Sequence, residues 1–222
     1  ADDGQPAWDA WVTVYDPTTR EIIASQQTDQ YGGYLVQGIP SGSYIVSGYA
    51  WDMAREYYKS TGNTYNFDAA TPVTVTAPYE TADINFVLEQ GGGINGNVNG
   101  QLPEGGDGPL PGVLISAFWL GETTPQVSAA SSPDDALAVF YTKTDSQGNF
   151  NLEGLPFGDY KVMAGGGEGS WWVPQWFNPD GPNGPIWDMV QPFTIDEFNR
   201  WRGTGFWLPL GGLVTGLVYE ED

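Results

Sequence analysis

The chain has no cysteine and no histidine. No disulfide, thiolate or imidazole chemistry is therefore open to it, and zinc would have to be held by carboxylates alone. Bases are scarce: seven Lys and Arg face 28 Asp and Glu, a net charge of −21. Such a surface repels nucleic acid and anionic membranes and suits a secreted protein in a calcium-rich or salty medium. No apolar run approaches the roughly 18 residues of a membrane-spanning helix. No Asn-x-Ser/Thr sequon occurs, which argues against N-linked glycosylation by that signal. The first residue is Ala1, as in a processed chain or one excised from something longer. Any nucleophile would lack an imidazole base, and with 28 acids a chance carboxylate pair means little, so no enzyme is expected.

What the chain has in abundance is turn residues and aromatics. Its 31 glycines and 17 prolines mostly separate short apolar runs, the punctuation of an all-β protein. A length of 222 residues accommodates two domains of about 100 residues. Two stretches match without gaps: TDQYGGYLVQGIPSGSYIVSGYA (28–50) and TDSQGNFNLEGLPFGDYKVMAGG (144–166). Two further pairs extend the repeat. FVLEQGGGINGNV (86–98) matches FWLPLGGLVTGLV (206–218), and GQPAWDAWVTVY (4–15) aligns with GPLPGVLISAFW (108–119). A unit of about 110–120 residues thus occurs twice.

Each piece has a physical reading. WVTVY and VLISAFW read as strands by β-branched and aromatic content. Asp29 and Asp145 are placed to bond their own turns, with Gly32 and Gly148 supplying positive φ. YLVQGI and FNLEGL read as strands, then YIVSGYA and YKVMAG after tight Pro-x-Gly turns. TPVTVTA and QPFTI precede closing strands INFVLEQ and GFWLPL. Short helical turns are expected near 54–58 and 196–201.

These residues resemble the carboxypeptidase-regulatory-like and Cna-B-like modules, through the pattern T-D-x-x-G-x-[YF]-x-[LV]-x-x-[LI]-P-x-G-x-Y-x-V. The resemblance covers most of both repeats. It implies two tandem prealbumin/Ig-like β-sandwiches, a fold that serves in stalks, spacers and adhesins. Some relatives carry a Lys–Asn or Lys–Asp isopeptide bond. Only Lys59, Lys143 and Lys161 are present, none in a first strand, so no such bond is expected.

Members of this family open with a strand before the first loop. Repeat 2 has one in GGGINGNV (91–98), whereas repeat 1 begins directly in its loop. The missing type of sequence stands at the other end, in GGLVTGLVYEED. The expected organisation is an incomplete sandwich over 1–90, a second sandwich over 91–210, and a C-terminal donor strand over 211–222. Residues 211–219, with Leu213, Val214, Thr215, Gly216, Leu217, Val218 and Tyr219 as the donor, would fill repeat 1 of the next copy. Trp11, Val12, Val14, Ile84, Phe86 and Leu88 are the expected acceptor positions. Strand addition of this head-to-tail kind builds an open, secreted homopolymer at the cell surface. The alternatives are an excised or passive stalk segment of a longer adhesin array, and a carbohydrate-binding accessory module. The last would use Trp171, Trp172, Trp176 and Trp187 as a sugar platform, or as a contact between subunits. No cofactor is required. Calcium is the one candidate ion, at Asp2, Asp3, Glu220, Glu221 and Asp222 where two copies meet, with Asp29 and Asp145 as further ligands. The rival reading of those acids is a solvated loop.

Overall fold

Thr28-Asp29 and Thr144-Asp145 organise two copies of one corner. The computed structural model describes residues 5–121, 133, 138–166 and 170–215. Asp29 Oδ1 accepts the N–H groups of Tyr31 and Gly33, and Asp145 Oδ1 those of Gln147 and Asn149. Gly32 and Gly148 each take φ of 76°, the left-handed conformation that closes such a turn without a Cβ penalty. The preceding threonine hydroxyls clamp an earlier segment. Thr144 Oγ1 accepts the Val113 N–H at 2.9 Å and donates to the Leu110 carbonyl at 2.6 Å. Thr28 does the same with Ala10 and Ala7. A second pair of matched bonds runs from the Tyr44 hydroxyl to the Pro40 carbonyl and from Tyr160 to Pro156.

Sixteen short elements follow, fourteen of them strands, so the described chain is all-β. In repeat 1, β1 (Trp11–Tyr15) lies between β2 (Ile22–Gln27) and β3 (Gly42–Tyr49). β3 also pairs with β4 (Glu56–Tyr57) and β5 (Val73–Val75). In repeat 2 one sheet is built around β6 (Gly91–Gln101), which also carries β7 (Asp107–Pro109). β6 pairs antiparallel with β10 (Asn149–Pro156) on one edge and parallel with β14 (Trp201–Leu208) on the other. The facing sheet holds β8 (Leu114–Trp119), β9 (Ala138–Lys143), β11 (Gly158–Ala164), β12 (Gln175–Trp176) and β13 (Phe193–Ile195). Ile94, Val98, Phe150, Leu152, Phe206 and Leu208 from the first sheet meet Ile115, Ala117, Tyr160 and Val162 from the second in one buried core, which makes repeat 2 a sandwich.

The strand register corrects one alignment. Tyr44 and Val46 correspond to Tyr160 and Val162 in the matched stretches, and Val14 opposes Val46 as Ala117 opposes Val162. Val12 and Val14 therefore stand where Ile115 and Ala117 stand, one place away from the alignment of 4–15 with 108–119. The threonine clamps agree, since Ala7 and Ala10 take the places of Leu110 and Val113. A slip of one residue exchanges the two faces of a strand. The sequence WVTVY hides the slip because four of its five residues are buried.

Two expected strands and two expected helical turns are not formed. Residues 34–39 and 84–89 lie in no strand, although their counterparts form β10 and β14. The segment 54–58 contains β4, and 196–200 is an irregular lead into β14. The 3-10 turns lie instead at Phe67–Ala69 and Trp187–Met189.

Thr144→Val removes a buried hydroxyl that serves one donor and one acceptor. Urea denaturation should show a loss of about 2–3 kcal/mol with an unchanged m-value. A loss under about 0.5 kcal/mol would mean the clamp is ornamental.

Candidate functional site: an unfilled strand position

In repeat 2, β6 uses both of its edges. Gly96 stands between Phe150 of β10 and Thr204 of β14, and Ile94 between Leu152 and Arg202. Ile94 and Val98 are fully buried beneath this pairing. The corresponding flanks of repeat 1 are residues 34–39 and 82–88. No backbone–backbone hydrogen bond joins either segment to any described residue. Backbone groups in that state need water or a partner strand.

Between the flanks lies a groove of about 720 Å³. Its floor is Val14, Tyr44, Val46 and Val73, and its walls include Val36 and Ile84. Tyr34, Val36, Ile39, Ile84 and Phe86 point one apolar side toward that small core. The Tyr34 hydroxyl donates to the Ile84 carbonyl and so ties the two flanks together. Burial pushes the Tyr34 phenol up to about 12, so it remains a donor at neutral pH. Apolar side chains on the outer rim stay in water: Leu35 is 60 % exposed and Val87 64 %.

Of the expected acceptor residues, Val12, Val14, Ile84 and Phe86 belong to this core. Leu88 lies over Gly48, its Cδ2 3.2 Å from where a Cβ would stand. Trp11 is no part of it. Its ring is exposed, on the face of β1 opposite Val12 and Val14. Sequence inspection missed Tyr34, Val36, Ile39 and Val46. Their alternation signals it, once the strand they should flank is known to be missing.

The donor candidates begin in a structured exit. The Val173 and Gly211 N–H groups donate to the Pro209 and Trp171 carbonyls, with a bridge between Trp172 and Leu210. Where repeat 1 passes into β6 the same clip recurs. Ala54 and Gly91 donate to Glu89 and Asp52 around a Met53–Gln90 bridge. The chain is thus launched from Gly211 as it is from Gly91. Beyond Gly211 the described residues form no strand, and Leu213 is 71 % exposed and Val214 wholly so. Gly216, Leu217, Val218 and Tyr219 lie outside the described residues.

The other candidates separate clearly. Trp176 and Trp187 are interior residues, packed edge-to-face at 4.8 Å in a cluster with Leu120 and Val190. Lys161 lies 4.3 Å over the Trp187 ring and donates to its carbonyl. Desolvation lowers the Lys161 pKa. Trp172 is tied down through its indole N–H to the Gln101 carbonyl, and of the four only Trp171 is largely exposed. The four therefore make no common platform for a sugar. Asp29 and Asp145 each spend Oδ1 on their own turn. Asp2, Asp3, Glu220, Glu221 and Asp222 fall outside the described residues. Among the described residues no helix is long and apolar enough to cross a membrane.

No protein-family model matches the chain, and no curated protein does. Among solved structures, the Bacillus anthracis TIE protein is 15 % identical with a TM-score of 0.33. That match covers 94 % of this chain and 32 % of that one, so the chain spans about a third of its length. GBS52, a minor pilin of Streptococcus agalactiae, is 14 % identical with a TM-score of 0.31, over 98 % of this chain and 88 % of its own. The shaft pilin SpaA of Lactobacillus rhamnosus GG is 14 % identical at 0.32, over 95 % and 91 %. At such scores these likenesses say nothing about assembly.

Ile94 and Val214 occupy matching sequence positions in opposite surroundings. In dilute, unassembled protein Ile94→Ala should cost about 2–5 kcal/mol by denaturant unfolding, and Val214→Ala under about 0.5 kcal/mol. Equal losses would mean that the tail is already packed within its own chain.

Proposed function

We propose that this chain is the repeating subunit of an extracellular filament. Residues 211–219 of one copy fill the groove of the next and complete repeat 1 as β6 completes repeat 2. The observation that carries the reading is a strand position that no described residue fills, together with a tail of matching sequence whose Leu213 and Val214 are exposed. Such an interface is heterologous, so it propagates.

An end-to-end arrangement of the repeats would keep the tail from its own groove. Its exit at Leu210–Gly211 adjoins Gln101, the last residue of β6. β6 begins beside Ala54 and Leu155, and eleven extended residues separate these ends by about 33 Å. The strand would enter the groove from the side of Ile39 and run parallel to 82–88, whose far end adjoins Gly91. With the two repeats end to end, that mouth would lie roughly another strand length beyond the hand-over. With Gly211 held against Trp171, no slack remains to cover the distance.

Burial of Val214 and Val218 supplies about 3–5 kcal/mol, and the new backbone bonds about 1 kcal/mol each. Association costs several kcal/mol, so concentration decides whether fibres form. The role is structural, and a surface of net charge −21 keeps free subunits soluble. The two sandwiches act as rigid spacers, 1–90 as acceptor and 91–210 as the body that carries the donor.

Purified chain should form fibres in negative-stain microscopy, and chain ending at residue 210 should remain monomeric with the melting temperature of dilute, unassembled full-length chain. Fibres from both, or from neither, would reject strand donation.

A further inference from the structure

At one outer rung, the groove and β6 show side-chain sizes exchanged between donor and acceptor. In repeat 2, Gly93 pairs with Trp201, and a Cβ on Gly93 would run into the Trp201 ring. At the matching positions the tail has Leu213 and repeat 1 has Thr81, by the same spacing of 120 residues that relates Phe86 to Phe206. A small residue beneath a large one becomes a large one beside a small one. Thr81 is exposed and bonded through its hydroxyl only to the Thr74 carbonyl, so space stands open beside it.

The core-facing glycine rungs do the opposite and keep their residue. A Cβ on Gly96 would overlap the Thr204 carbonyl oxygen and stand 3.0 Å from the Phe150 ring. The matching rung is Gly216 between Tyr34 and Ile84, where the Tyr34 hydroxyl bonds the Ile84 carbonyl. A side chain at 216 would have to break that tie. A Cβ on Gly92 likewise would overlap the Arg200 carbonyl, and Gly212 takes its place in the tail.

Resting on the filament reading above, we infer that the joint has one register and selects its own partner. Leu213 is seated beside Thr81, and Gly216 passes over the Tyr34–Ile84 tie. Val214 then takes the place of Ile94 between Val36 and Ala82, and Val218 that of Val98 beside Phe86. The fit also excludes a wrong pairing: a groove shaped like that of repeat 2, with tryptophan at the rim, would reject a tail carrying Leu213. A slip of one residue would drive Leu213 or Leu217 into the glycine rungs and turn both valines to solvent.

The test uses full-length chain. Thr81→Trp should raise the concentration needed for fibres by about 10- to 100-fold, a typical overpacking penalty. Leu213→Gly in the same chain should restore assembly. Gly216→Ala should block it in either background. Circular dichroism melts of each variant report whether the subunit itself is folded. Assembly of Thr81→Trp or of Gly216→Ala at the unsubstituted concentration would overturn the register while leaving strand donation standing. So would a folded Thr81→Trp/Leu213→Gly chain that stays monomeric. If the unsubstituted chain forms no fibres, the filament reading fails and the register with it.

Discussion

The two hydrogen-bonding edges of a single strand decide what the rest of this molecule can be. In repeat 2, β6 joins β10 to β14 and roofs the core with Ile94 and Val98. Repeat 1 has the corner turns, the threonine clamp and the facing strands, yet its flanks at 34–39 and 82–88 lie apart without a ladder. The difference cannot be assigned to poor local sequence. Tyr34, Val36, Ile84 and Phe86 are as suited to strands as Phe150, Leu152, Thr204 and Phe206. A strand is a property of its pairing, and these segments have nothing to pair with among the described residues.

Under the proposed function, that unmet pairing links stability to assembly. Among the described residues, the completed repeat buries eighteen hydrophobic residues in one cluster, while the incomplete one buries five and leaves a groove of about 720 Å³. A donated strand would therefore stabilise the acceptor as it joins two copies, so that folding of repeat 1 and growth of the filament share one free energy. The tie between Tyr34 and Ile84 holds the two flanks of the groove together.

Much of this was legible in the chain. The matched Thr-Asp turns, with their positive-φ glycines at 32 and 148, are local chemistry, and each forms where its residues stand. The fate of the tryptophans was not legible, because Trp176 and Trp187 owe their burial to Leu120 and Val190, far from them in sequence or on the other side of a turn. The register of β1 was hidden for a related reason. With Thr13 and Tyr15 buried as well as Val12 and Val14, apolar alternation gives no phase, and only Thr28 and Val46 fix it. Of the candidate site, Ile84 and Phe86 were recognisable, but the tie between Tyr34 and Ile84 joins residues fifty positions apart.

The lack of native cysteine makes the central claim directly measurable. In repeat 2, Asn151 and Asn95 are cross-strand partners on the outer face. Their counterparts at the proposed joint are Leu35 and Thr215. A chain carrying Leu35→Cys and Thr215→Cys, oxidised after assembly and run on a denaturing gel without reductant, should give a ladder of covalent multimers. Monomer alone, or a monomer crosslinked within its own chain, would contradict strand donation between copies.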